Sequence, residues 1–106
     1  MNGQRIIELT KEGIINTLNA QSLQSAILDL LTKKDWQAAL EGLDLLDTMF
    51  DQRRKITVEM EELCPMPQVE PSLKDVLAEI EHDKKVNNTL RKMAKQNMKG
   101  VGGWNY

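Results

Sequence analysis

The chain predicts an all-α fold, an elongated antiparallel helical bundle of three main helices with a short C-terminal tail, and three observations carry that expectation. Apolar residues recur at three-or-four spacing along three long segments. Prolines and glycines cluster between or after those segments, where they stop helices. Aromatic residues make up 4% of the chain, so the core must come from Leu, Ile, Val, Met and Ala, the usual filling between packed helices. At 106 residues, 28% of them charged and 41% hydrophobic, the chain fits one domain with limited capacity to bury a core. The bundle is expected at 1–99 and a flexible tail at 100–106.

The first segment runs from about Gln4 to Thr32, with Leu18, Leu23, Ala26, Ile27, Leu30 and Leu31 on one helix face. Ile6, Ile7, Leu9, Ile14 and Ile15 continue the pattern upstream. Gly13 and the polar residues Asn16, Asn19, Gln21 and Ser22 lower helix propensity, which predicts a bend or break near Asn19 to Ser22. Lys33-Lys34-Asp35-Trp36 reads as a tight connection: two cations suit the negative end of the first helix and Asp35 can cap the next. Trp36 is expected to close this hairpin as a packing anchor.

The second segment, Trp36 to about Leu63, places Trp36, Ala39, Leu40, Leu43, Leu46, Phe50, Thr57, Met60 and Cys64 along one stripe. Leu45, Met49, Ile56 and Leu63 run beside it. So wide an apolar arc predicts a central helix, or one that binds something. Pro65, Pro67 and Pro71 end it. Ser72-Leu73-Lys74-Asp75 has the form of a capping box with Asp for Glu, opening a third helix. Its apolar positions are Leu73, Val76, Leu77, Ile80, Val86, Leu90, Met93 and Ala94, interrupted by Asp83, Lys84 and Asn87. Gly100, Gly102 and Gly103 are expected to stop it. Three stripes around a shared axis make a thin core, which a partner or self-association would help.

Composition and motifs narrow the function. A net charge of −2 argues against whole-molecule attraction to nucleic acid or an anionic membrane. The cations Lys84, Lys85, Arg91, Lys92, Lys95 and Lys99 nevertheless crowd the end of the third helix. They read either as complements to its dipole or as a basic docking surface. One histidine, His82, and one cysteine, Cys64, cannot build a multi-ligand metal site or a disulfide within the chain. The carboxylates alternate along amphipathic helices, and Gly100-Val101-Gly102-Gly103 lacks the helix and Lys-Ser/Thr pair of a phosphate cradle. No enzyme activity, catalytic residue, metal or cofactor is expected. The absence of a signal-like or membrane-spanning apolar run points to the cytoplasm.

The stretch Leu30-Leu31-Thr32-Lys33-Lys34-Asp35-Trp36-Gln37-Ala38-Ala39-Leu40 resembles the FliT family of flagellar type III export chaperones. The layout is similar over roughly Ala20 to Lys99: a helix, a polar turn followed by Trp, a long second helix with a charged middle, a proline-containing loop and a third helix. The resemblance implies a cytosolic antiparallel bundle that binds the C-terminal helical segment of the filament cap protein, keeping it soluble before export. It also implies contacts with the export ATPase or gate. Relatives often carry a fourth helix that covers and regulates the binding groove, whereas only Gly100 to Tyr106 follow the third helix here.

Broad apolar surface on the second helix and the six methionines of the chain suit the capture of an amphipathic helix. The candidate partner-binding residues are Leu77, Ile80, Val86, Leu90 and Met93, facing a groove between the second and third helices. A small DNA-binding or regulatory protein using Lys84 to Lys99, and a structural homodimer that consumes its own apolar faces, are the rival readings.

Overall fold

A computed structural model describes residues 3–65 and 73–103. These form three helices, α1 (Gly3–Thr32), α2 (Trp36–Leu63) and α3 (Leu73–Gly103), with no strand among the described residues. The proposed capping residue Ser72, and Pro67 and Pro71, lie outside the described residues, as does the tail from Trp104 onward.

The first hairpin closes as its sequence suggests, with one addition. Asp35 caps α2, its carboxylate accepting from the Ala38 amide at 3.3 Å. Ahead of it, the Asp35 amide donates to the Leu30 carbonyl at 2.9 Å and the Lys34 amide to the Leu31 carbonyl at 3.1 Å. That pair of bonds ends a helix in a left-handed residue. Here that residue is Lys34, at φ 62°, a place glycine usually takes because a Cβ is disfavoured there.

Two helix limits differ from expectation. α1 is continuous through Asn19 to Ser22, because the break signalled by polar residues is overridden by packing on α2. Asn16 is buried and bonded there rather than free to break the helix. α3 continues past Gly100 to Gly103. Each glycine lowers helix propensity by about 1 kcal/mol, but none of them is forced into a left-handed conformation.

The buried stripe of α1 also differs. Leu9, Asn16, Ala20 and Ile27 are buried, whereas Leu18 is 57% exposed and Ala26 is exposed too. Leu18 lies two residues from both Asn16 and Ala20, which turns it to the opposite side of the helix. In α2 the buried residues are Ala39, Leu43, Leu46 and Phe50, all from the first of its two stripes, and Leu45 of the second is exposed. Cys64 ends this helix in an exposed position. Trp36 is half-buried.

Helix α2 is the centre of the architecture. It packs along α1 on one side and α3 on the other, while α1 and α3 barely touch. The molecule is a slab of 65 × 22 × 16 Å. One cluster joins the three helices, formed by Ala20 and Ile27 of α1, Leu43, Leu46 and Phe50 of α2, and Ile80 of α3.

Candidate functional site

With α1 and α3 held apart, the slab has a long cleft whose floor is α2. At one end the cleft is about 580 Å³, walled by Ile14 and Leu18 of α1 and Val76 of α3, over Ile56, Thr57 and Met60. At the other it narrows to about 250 Å³ between Gln24 and Leu28 of α1 and Asp83, Val86 and Leu90 of α3, over Leu43, Leu46 and Phe50. Apolar wall residues are left half open: Ile14 at 56%, Leu28 at 59% and Val86 at 46% exposure. In a closed three-helix bundle these side chains would meet across the gap.

The sequence-derived candidates divide within this geometry. Val86 and Leu90 line the narrow end of the cleft. Ile80 is 1% exposed and belongs to the core, so it supports the cleft from below. Leu77 is partly buried against the same core. Met93 is exposed at 40%, one turn beyond Leu90 and outside the described cleft. The cleft itself lies between α1 and α3 over α2, rather than between the second and third helices alone. Ile14, Leu18 and Leu28, its α1 wall, were not among the candidates. Their signal was a second apolar stripe on α1, beyond what a single contact with α2 uses.

The polar interruption in α3 turns out to be a fastening to α2. Asn87 is 2% exposed and its Nδ2 donates to the Leu43 carbonyl at 3.0 Å and to Asp47 Oδ1 at 2.6 Å. Arg91 reaches Asp47, and its Nη2 lies 3.0 Å from Asp44 Oδ1. Lys84 pairs with Asp51 at 2.8 Å and Arg54 with Glu81 at 2.9 Å. Desolvation works against the Arg91 charge, but its bonds to Asp47 and Asp44 outweigh this and raise its pKa. The hydrogen bond between Lys84 and Asp51 raises the lysine and lowers the aspartate.

Two of the cations that crowd α3 are therefore engaged with α2, which thins the basic surface to exposed residues such as Lys85, Lys92 and Lys95. Among the described residues no group of His, Cys, Asp and Glu is placed to hold a metal ion. His82 and Cys64 are both exposed. No described helix is long and apolar enough to cross a membrane.

Comparison with protein-family models, with curated protein sequences and with solved structures gives no match for this chain.

Proposed function

We propose that this protein binds an amphipathic helix of another protein in the cleft between α1 and α3, and that it does so as a cytoplasmic flagellar export chaperone. The client is the C-terminal helical segment of the filament cap protein. One observation carries the binding reading: two helices that barely touch, with apolar walls over an apolar floor. A helix about 10 Å across, laid there with its apolar face down, would turn the slab into a four-helix arrangement. It would cover Ile14, Leu18, Leu28 and Val86, four of the large apolar side chains the fold leaves open. The flagellar identity of the client rests on the resemblance around Trp36 and on the helix order. Contacts with the export ATPase or gate belong to the same reading.

Titration calorimetry with a peptide of the cap protein's C-terminal segment tests it. Val86→Glu should weaken binding by more than about 1 kcal/mol, the level that separates an anchor from a bystander. Met93→Glu, outside the described cleft, should weaken it less. Circular dichroism of both variants checks that helicity is kept. Unchanged affinity in folded Val86→Glu would place the site elsewhere, and failure of the unaltered protein to bind would remove the chaperone reading.

A further inference from the structure

Charge is unevenly placed along this chain. All 16 of its carboxylate residues lie at or before Asp83, whereas six of its 14 cations follow it. Lys84 and Arg91 turn toward α2 and are held by Asp51, Asp47 and Asp44. Lys85, Lys92 and Lys95 are exposed, and among the described residues none of them is paired with a carboxylate. The helix dipole does not account for them. It favours cations only near the last turn of a helix, and α3 runs on to Gly103 with no basic residue in its last turn.

These lysines make an edge of the slab. Ile80, Asn87 and Ala94, the buried residues of α3, repeat every seven residues and mark the side turned to α2. Lys85 and Lys92 stand two residues before Asn87 and Ala94, about 160° round the helix, and so project away from α2. Met93 lies beside Lys92, 40% exposed and outside the described cleft. Along the axis Lys85 and Lys92 are about 10.5 Å apart, the spacing of two carboxylates seven residues apart on another helix. We infer that this edge docks an acidic amphipathic helix of another protein. Its Glu or Asp residues, repeating every seven positions, pair with Lys85 and Lys92, and an apolar side chain beside them covers Met93. Nucleic acid suits the edge less well. Arg91, the one arginine of α3, is turned to α2, Met93 offers a phosphate chain nothing, and the acidic bulk of the molecule repels a long polyanion. Solvated lysines make the docking weak and dependent on salt. It is separate from the helix-binding reading, because Lys85, Lys92 and Met93 do not line the cleft.

Fluorescence anisotropy of the intact chain with a labelled peptide tests this. The probe is an alanine-based helix of about 20 residues with Glu-Leu pairs at seven-residue spacing, and its control carries the same residues in scrambled order. The ordered peptide should bind at low salt, at least about fivefold more tightly than the scrambled one, and release as salt rises to about 0.5 M. Lys85→Glu combined with Lys92→Glu should weaken binding at least about tenfold, because like charges then face each other. Lys11→Glu combined with Lys55→Glu makes the same change in net charge at exposed sites elsewhere. That protein should stay within about twofold of the unaltered one. All four positions are exposed, and circular dichroism should show helicity kept. No binding by the unaltered protein, equal binding of the scrambled peptide, equal losses in the two charge-reversed proteins, or tighter binding of a single-stranded oligothymidylate would overturn the proposal and leave the cleft reading untouched.

Discussion

The two seams along α2 are held by different physics. Its seam with α1 is close and apolar. A Cβ on Gly42 would stand 2.9 Å from Ile27 Cγ1, so the absence of a side chain at Gly42 lets the helices approach there. At the far end Arg5 donates to Glu59 Oε1 at 2.8 Å. The seam with α3 carries instead a row of polar bonds: Arg54 with Glu81, Asp51 with Lys84, Asp47 with Asn87 and Arg91, Asp44 with Arg91. As one helix is followed up, the partners run down the other in step, so the row specifies an antiparallel register that apolar packing alone would leave loose.

The seams also share a device. Each outer helix sends one buried asparagine to a backbone carbonyl of α2, Asn16 to Met49 at 2.9 Å and Asn87 to Leu43 at 3.0 Å. Carbonyls inside a helix keep a second lone pair, and these bonds use it to lock the sliding position of α1 and α3. The difference between the seams teaches where stability should respond to charge and where to volume.

The largest effect is expected on the polar side. Arg91→Ala leaves the carboxylate of Asp47 without its strongest partner in a partly buried place and should destabilise by about 1–3 kcal/mol, read from the urea midpoint. The exposed pair of Arg54 and Glu81 is the control, since Arg54→Ala should leave that midpoint within error. Equal losses would mean that the row of charges acts as a whole and not through Arg91.

A smaller effect, of opposite sign at two glycines of the α1 seam, tests where that seam is close. Gly42→Ala gains helix propensity but crowds the buried Ile27, and should cost about 1 kcal/mol net. At Gly13 a Cβ would find only Ile56 at 3.8 Å, an ordinary contact, so Gly13→Ala should stabilise by about 0.5–1 kcal/mol. Thermal unfolding compares them, and a gain at both sites would show that the α1 seam is not tightly packed at Gly42.

The smallest effect is the pH dependence. The hydrogen bond from Lys84 lowers the pKa of Asp51, and that from Arg5 lowers the pKa of Glu59. Their contributions are therefore full above the ordinary carboxylate values near 4 and are lost as pH falls through the folded values. Lys84, raised by Asp51, contributes below the ordinary lysine value of about 10.4 and loses this as pH rises through its folded value. Urea midpoints should be flat between these limits and fall on both sides. Asp51→Asn should lower the plateau slightly, by an amount that shrinks toward pH 2; a constant offset would take this pair out of the acid response.

Much of the fold was legible in the sequence because local rules agree with one another. The limits of α2, the Asp35 cap and the hairpin connection follow from residues adjacent in the chain, and the stripe Ala39, Leu43, Leu46, Phe50 follows from helical spacing. The candidate site was legible only in part. Val86 and Leu90 line the narrow end of a cleft between α1 and α3, and not a groove between the second and third helices as their spacing suggested, and Met93 is left exposed beyond it. Ile80 went to the core because it lies, with Asn87 and Ala94, on the buried side of α3, a direction that spacing within one helix cannot supply. Asn87 looked like a flaw in an apolar stripe until the Leu43 carbonyl and Asp47 were set beside it.

Three helices, their order and the apolar residues available to join them were thus settled by the chain alone, since helix formation depends on neighbours within a few positions. The tertiary structure decided what those residues face. Whether Leu18 is core or surface, whether a polar residue breaks a helix or fastens two together, and whether α1 and α3 close on each other or stand apart over α2 all depend on the rotation of each helix about its axis. That rotation is set by contacts between residues such as Ile27 and Gly42, or Asn87 and Leu43, far apart in sequence, and no pattern within a single helix encodes it.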